Sequence, residues 1–118
     1  MKTRQSSVPC LHDSSGKVVK HDYTPRQLEI AAAMCKALSD PSRLRLLLWL
    51  AQGDLCVSEL VTLEADKLSS ISARLKLLHN AHLVTRRRET KHVYYALADQ
   101  HVRNLLDNVL HHASEATA

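Results

Sequence analysis

Apolar residues recur at three- and four-residue intervals from Pro25 to about Asn80, give way to two short β-rich segments, and return to helical spacing after Asp99. The pattern predicts four helices, a hairpin and a fifth helix. Residues 1 to 23 are polar, Ser-rich and aperiodic, which predicts a flexible arm outside the core with Cys10, His12 and His21 as its distinctive groups. Residues 24 to 118 then make up one folded domain. Leu28, Ala31, Ala32, Cys35 and Leu38 form the first apolar stripe, with Pro25 in the opening turn and an end near Ser39. The stripe is expected to face the core, which makes Cys35 a packing residue. Asp40 and Pro41 open a second helix whose Leu44, Leu46, Leu47, Leu48, Trp49 and Leu50 are apolar nearly all round; it belongs at the core centre and should stop at Gly53.

A short helix from about Cys56 to Leu63 and a longer one from about Lys67 to Asn80 follow, joined by a turn in which Asp66 is the expected cap. At 100° per residue, Leu68, Ile71, Leu75 and Leu78 fall on the inner side of the longer helix. Ser69, Ser72, Ala73 and Lys76 fall on the outer side, with Ser70 and Arg74 on the same helix. Such a small, hydroxylated, basic face suits a helix entering the major groove, because short side chains permit close approach to base edges and phosphates. Leu83 to Arg88 and His92 to Leu97 then read as two strands around a charged tip, Glu89-Thr90-Lys91. Arg86, Arg87, Arg88, Lys91 and His92 concentrate there. A basic hairpin after a helix-turn-helix is the layout of a winged helix, with the wing on backbone phosphate.

Charge agrees with that reading. Lys and Arg number 16 against 12 Asp and Glu, an excess of +4 that favours an anionic partner. Only four residues are aromatic, one Trp and three Tyr, too few for a base-stacking single-strand binder, so duplex DNA is expected. Three cysteines, at 10, 35 and 56, make no disulfide framework and suit a reducing cytoplasm. No segment has the length and apolarity of a membrane span, and no G-x-S-x-G nucleophile motif occurs.

The last helix carries separate chemistry. Asp99 is placed to cap it, and Asp99-x-His101 at its start is matched by His112-x-x-Glu115 near its end. His101 and His112 point within about 20° of each other but stand about 16 Å apart along the axis, so one zinc ion cannot take both. Two copies packed antiparallel about a two-fold axis would bring each pair beside the other copy's complement, forming two four-ligand sites. Val102, Leu105, Leu106 and Val109 supply an adjoining apolar stripe for such a dimer to bury.

These residues resemble the ArsR/SmtB family of winged-helix metal-sensing repressors. The resemblance rests on Ser39-Asp-Pro-Ser-Arg-Leu-Arg-Leu-Leu47, Asp54-Leu-Cys56-Val-Ser-Glu-Leu60, His92-Val-Tyr-Tyr-Ala-Leu97 and the terminal Asp-x-His and His-x-x-Glu pairs, and covers about residues 26 to 115. It implies a mainly α winged helix-turn-helix with a β-hairpin wing, a homodimer through the terminal helices. It further implies inter-subunit zinc ligation by Asp99, His101, His112 and Glu115, and zinc-driven release from operator DNA. It also implies a second metal site joining the arm to the Leu-Cys-Val segment, here Cys56 and Glu59 with Cys10 and His12. A single cysteine in that segment distinguishes the chain from cadmium and lead sensors that use a cysteine pair. Ala73 stands where many relatives carry His, and the wing tip lacks their Gly. A regulator sensing a thiophilic metal or oxidant through Cys10 and Cys56 is the alternative within the family. A zinc hydrolase is excluded by four protein ligands, which leave no open coordination position. A metal-buffering protein has no use for a recognition helix and wing.

Overall fold

Local hydrogen bonds set where the helices begin. A computed structural model describes residues 22–118, in which α1 (Pro25–Ala37), α2 (Pro41–Ala51), β1 (Leu55–Cys56), α3 (Val57–Glu64), α4 (Leu68–Asn80), β2 (Val84–Glu89), β3 (His92–Leu97) and α5 (Gln100–Ala116) follow in order. Thr24 accepts the Gln27 N–H at 3.1 Å while Gln27 Oε1 accepts the Thr24 N–H at 2.9 Å, a reciprocal box that opens α1. Asp40 caps α2 through the Arg43 N–H at 3.1 Å and also accepts the Ser42 hydroxyl. Those two donors, Ser42 first, hold its carboxyl below the usual carboxylate value. Asp99 caps α5 through the Val102 N–H at 3.1 Å.

Helix α4 departs from this pattern. Its cap position is Lys67 and carries no side-chain hydrogen bond. Asp66, the expected cap, instead accepts the Lys67 N–H at 2.7 Å and pairs with Arg74 at 2.9 Å. The preceding turn has no Gly, and Ala65 takes the left-handed conformation at φ 52° that ends α3.

The core lies where α2 meets α3, α4 and the sheet. Leu46, Leu47 and Leu50 of α2 pack there with Leu60, Ile71, Leu75, Leu78, Leu83, Tyr95 and Leu97, and α5 contributes Val102 and Leu106. The central position expected for α2 is observed, with Leu48 turned outward. Two expectations fail. Leu68, placed on the inner side of α4, is 60% exposed, because the first turn of α4 projects past the core. The α1 stripe is largely uncovered as well: Leu28 is 50% exposed and Ala31, Ala32 and Cys35 are exposed, so Cys35 is not a packing residue within the chain. Only Ala37, with half-buried Met34 and Leu38, joins α1 to the core.

The sheet has three antiparallel strands in the order β1-β3-β2, one more than the expected hairpin. Leu55 and Cys56 pair with Tyr95 and Tyr94, which ties the start of α3 to the wing. Strands β2 and β3 run from Val84↔Leu97 to Glu89↔His92, leaving a two-residue tip of Thr90 and Lys91. Thr90 fills the position of the missing Gly at φ 57°, a left-handed conformation a β-branched residue adopts at a cost. No helix among the described residues is long and apolar enough to cross a membrane.

Candidate functional site

On α4, Ser69, Ser72, Ala73 and Lys76 are exposed along one face, while Ser70 is half-buried. Arg74 is also half-buried and is held by Asp66, so its guanidinium is partly neutralised within the chain. The wing divides its arginines by strand alternation. Arg87 lies over the Tyr94 ring at 5.1 Å and donates to Glu89 at 2.8 Å and to Asp54. Glu89, then Asp54, raise its pKa. Arg86 and Arg88 project from the other face of β2, and with Lys91 they form no ion pair among the described residues. The three arginines and Val93 border an open groove of about 350 Å³. His92 meets Tyr94 edge-on at 6.2 Å and contributes to the lowered Glu59 pKa.

The two ligand pairs on α5 are each assembled. Asp99 Oδ1 accepts the Val102 N–H, and its other oxygen faces His101 Nδ1 at 3.6 Å. The Val102 hydrogen bond first, and His101 after it, keep the Asp99 carboxyl below the usual carboxylate value. His112 Nδ1 faces Glu115 Oε1 at 3.4 Å. Both imidazoles are open to solvent, 95% for His101 and 89% for His112. No group of three or more His, Cys, Asp or Glu among the described residues comes together to hold a metal. Among the described residues, α5 therefore carries two two-donor sets and not one complete site.

The stripe beside these pairs is divided between two uses. Val102 and Leu106 pack inside their own chain, which corrects the expectation that they serve a dimer surface. Leu105 and Val109, 39% and 47% exposed, remain as an apolar seam between the pairs.

Cys56 and Glu59 share the first turn of α3. The thiol is buried with Sγ 3.1 Å from Ser58 Oγ, and Glu59 Oε1 accepts the Cys56 N–H at 2.9 Å. That hydrogen bond lowers the Glu59 pKa. Cys10 and His12 lie outside the described residues.

Four polar contacts had no sequence signal, because their partners lie 15 to 52 residues away. The Glu64 carboxylate, buried under α2, accepts Arg45 Nε at 3.0 Å and Trp49 Nε1 at 2.9 Å. Asp54 holds Arg87 across 33 residues. Arg103, half-buried on α5, donates to the Ala51 carbonyl at 2.6 Å.

No family model matches the chain. It is 42% identical over 90 residues to the transcriptional repressor SmtB homolog of Synechocystis sp., spanning 76% of this chain and 68% of that protein. It is 30% identical over 112 residues to the cadmium resistance transcriptional regulatory protein CadC homolog of Staphylococcus aureus, spanning 94% and 93%. Among solved structures, the homodimeric winged helix-turn-helix DNA-binding domain of a candidate ArsR-family regulator from Mycobacterium bovis matches with TM-score 0.75 at 33% identity. The match covers 84% of this chain and 92% of that one.

Proposed function

The chain belongs to the ArsR/SmtB family of winged-helix transcriptional repressors, and from that premise we propose that it is a zinc-responsive repressor. It binds operator DNA as a metal-free homodimer and leaves it when zinc occupies sites shared between subunits. The observation that carries this reading is the pairing at both ends of α5, Asp99 with His101 at 3.6 Å and His112 with Glu115 at 3.4 Å, on either side of an exposed apolar seam.

Each pair is half of a tetrahedral set. In an antiparallel α5 pairing, Asp99 and His101 of one subunit meet His112 and Glu115 of the partner subunit, and symmetry makes two such sites. Two imidazoles and two carboxylates suit Zn(II) or Co(II), not the thiolate-seeking Cu(I) or Cd(II). Bound zinc would supply a closed cross-link between subunits, with no position left for a catalytic water. Leu105 and Val109, with the uncovered Leu28, Ala31, Ala32 and Cys35 of α1, are the apolar surface that a second copy covers.

The two α4 helices of a dimer enter successive major grooves, Ser69, Ser72, Ala73 and Lys76 toward base edges, while Arg86, Arg88 and Lys91 take backbone phosphate. Arg74 and Arg87, already paired inside the chain, act mainly by holding α4 and the wing in shape. The test is His112→Ala, which removes one ligand per site from an exposed position. The variant should bind operator as the wild type does and lose the zinc-driven drop in affinity, about five- to 150-fold for an allosteric coupling of ordinary size. Retention of that drop at the wild-type zinc concentration defeats the assignment.

A second reading draws on Cys56, which shares the first turn of α3 with Glu59. Cys56, Glu59, Cys10 and His12 would then sense a thiophilic metal or an oxidant. Anaerobic Co(II) titration separates the two readings: d–d bands without a thiolate charge-transfer band support the α5 site, and an intense near-ultraviolet thiolate band supports the cysteines.

A further inference from the structure

Among the described residues, α5 makes one side-chain hydrogen bond to another element, from Arg103 Nη1 to the Ala51 carbonyl at 2.6 Å. Ala51 is the last residue of α2, and the last turn of α2 contains no basic residue of its own. Arg103 therefore supplies both a donor for an orphan carbonyl and positive charge at the negative end of the α2 dipole. Beyond Ala51 the chain passes through Gln52 and Gly53, at φ 156°, to Asp54. The Asp54 carboxylate holds Arg87 of the wing, and Arg87 stacks on Tyr94. Two side-chain contacts, joined by the backbone of Gln52 and Gly53, thus connect the first turn of α5 to the wing by way of the α2 carboxy terminus.

Arg103 and the ligand pair share that first turn. The Arg103 N–H donates to the Asp99 carbonyl at 3.3 Å. On a helix, Arg103 stands about 200° around the axis from His101, so the two side chains leave the same turn on opposite sides. His101 is open to solvent and Arg103 reaches inward. A rotation or shift of the turn that carries His101 toward a partner subunit draws Arg103 relative to Ala51. Hydrogen bonds of this kind span about 2.7–3.2 Å and are lost by about 3.6 Å, so a displacement of about 1 Å is enough to break it.

Resting on the zinc-repressor reading above, we propose that Arg103 is the positioning residue that couples the metal end of α5 to DNA. Its contact with Ala51 holds the α2 terminus, and through Asp54 the wing, in the DNA-binding arrangement, and occupation of the Asp99–His101 pair acts by releasing that contact.

Arg103→Met tests this in the full-length protein, since it keeps the side-chain stem and removes the donors. Operator affinity is read by fluorescence anisotropy in metal-free and zinc-loaded protein, zinc affinity by competition with a chromophoric chelator, and the wing by the Arg87 ¹⁵Nε resonance. The metal-free variant should bind operator at least about fivefold more weakly than wild type, and added zinc should change that affinity less than about twofold, since its coupling is already spent. By linkage its zinc affinity should equal or exceed the wild-type value. The Arg87 resonance of the metal-free variant should move to the position seen in zinc-loaded wild type. Arg103→Lys, which keeps the charge and a donor, should fall between the two. Asp54→Asn breaks the same path at its other end and decides the matter if Arg103→Met fails to fold; it too should show a reduced zinc response.

Wild-type operator affinity and a wild-type zinc response in Arg103→Met overturn the coupling role alone. A variant weakened for zinc and DNA together also overturns it, showing a purely structural residue. A wild-type protein that ignores zinc removes the zinc-repressor reading and this inference with it.

Discussion

Helix α4 puts Ile71, Leu75 and Leu78 wholly inside the chain and turns Ser69, Ser72, Ala73 and Lys76 to solvent, whereas α5 puts in Val102 and Leu106 and leaves Leu105 and Val109 outside. Both helices follow the same three-four spacing, so the spacing does not distinguish them. Their outer faces do. The strip of Ser69, Ser72, Ala73 and Lys76 on α4 loses nothing by remaining in water and is small enough to approach a polar polyanion closely, although Leu68 and Leu77 of the same helix also stay exposed. The outer seam of α5 keeps apolar surface in water at about 25 cal/mol per Å², a standing cost that a second copy of the helix removes. The Asp99–His101 and His112–Glu115 pairs flank that seam, so in the proposed dimer the contact that hides the apolar surface would also bring the pairs together.

Core substitution should give the largest effect. Leu75→Ala in α4 should lower the unfolding free energy by about 2–5 kcal/mol, by lost transfer energy and the cavity left behind. Leu105→Ala in α5 should cost the isolated subunit well under half as much, since Leu105 is 39% exposed whereas Leu75 is wholly buried. Urea unfolding at dilutions where the protein is monomeric compares the two, and equal losses would erase the distinction between core and seam.

Val109→Glu should act next. A carboxylate on each side of the seam should weaken the dimer about ten- to a hundredfold, or about 1.4–2.8 kcal/mol, as read by analytical ultracentrifugation. An unchanged dimer would place the contact elsewhere on the chain. Asp99 then separates its observed role as cap of α5 from its proposed role as ligand. Asp99→Ala should remove the α5 cap, costing about 1 kcal/mol, together with a ligand. Asp99→Asn caps equally well but ligates poorly, so its melting temperature should stay near wild type while zinc affinity falls. A destabilised Asn variant would show that the Asp99 charge serves the fold and not the metal. The smallest effect should come from Lys76→Ala on the outer face of α4. It should leave stability within about 0.5 kcal/mol and reduce the salt dependence of operator binding by about 0.9 per chain, the signature of one lost phosphate contact. An unchanged salt slope would turn that face away from DNA.

The parts of the fold that were legible are those whose cause is local. Asp40 and Asp99 cap helices through N–H groups three residues on, and the terminal ligand pairs are separated by a count of helical turns. Strand β1 was not legible, because two residues carry no periodicity and Leu55 is a strand only through its pairing with Tyr95, forty positions later. Asp66 shows how a sound local argument loses to a more distant one: its carboxylate is close enough to cap α4, yet Arg74, eight residues on, claims an oxygen. Thr90 shows the reverse, a tip with unfavourable local preference held in shape by the six paired positions behind it.

For this protein, the order of amino acids alone determined the number and placement of the helices, the basic wing and the spacing of Asp99, His101, His112 and Glu115, because each follows from interactions within a few residues. Tertiary structure alone decided which apolar faces are covered. The stripe of α1 and half of the stripe of α5 remain outside, since periodicity states that a face needs cover without saying what provides it. It also decided which arginines are committed, because Arg103 finds Ala51 and Arg87 finds Asp54 only when segments 52 and 33 residues apart are folded together.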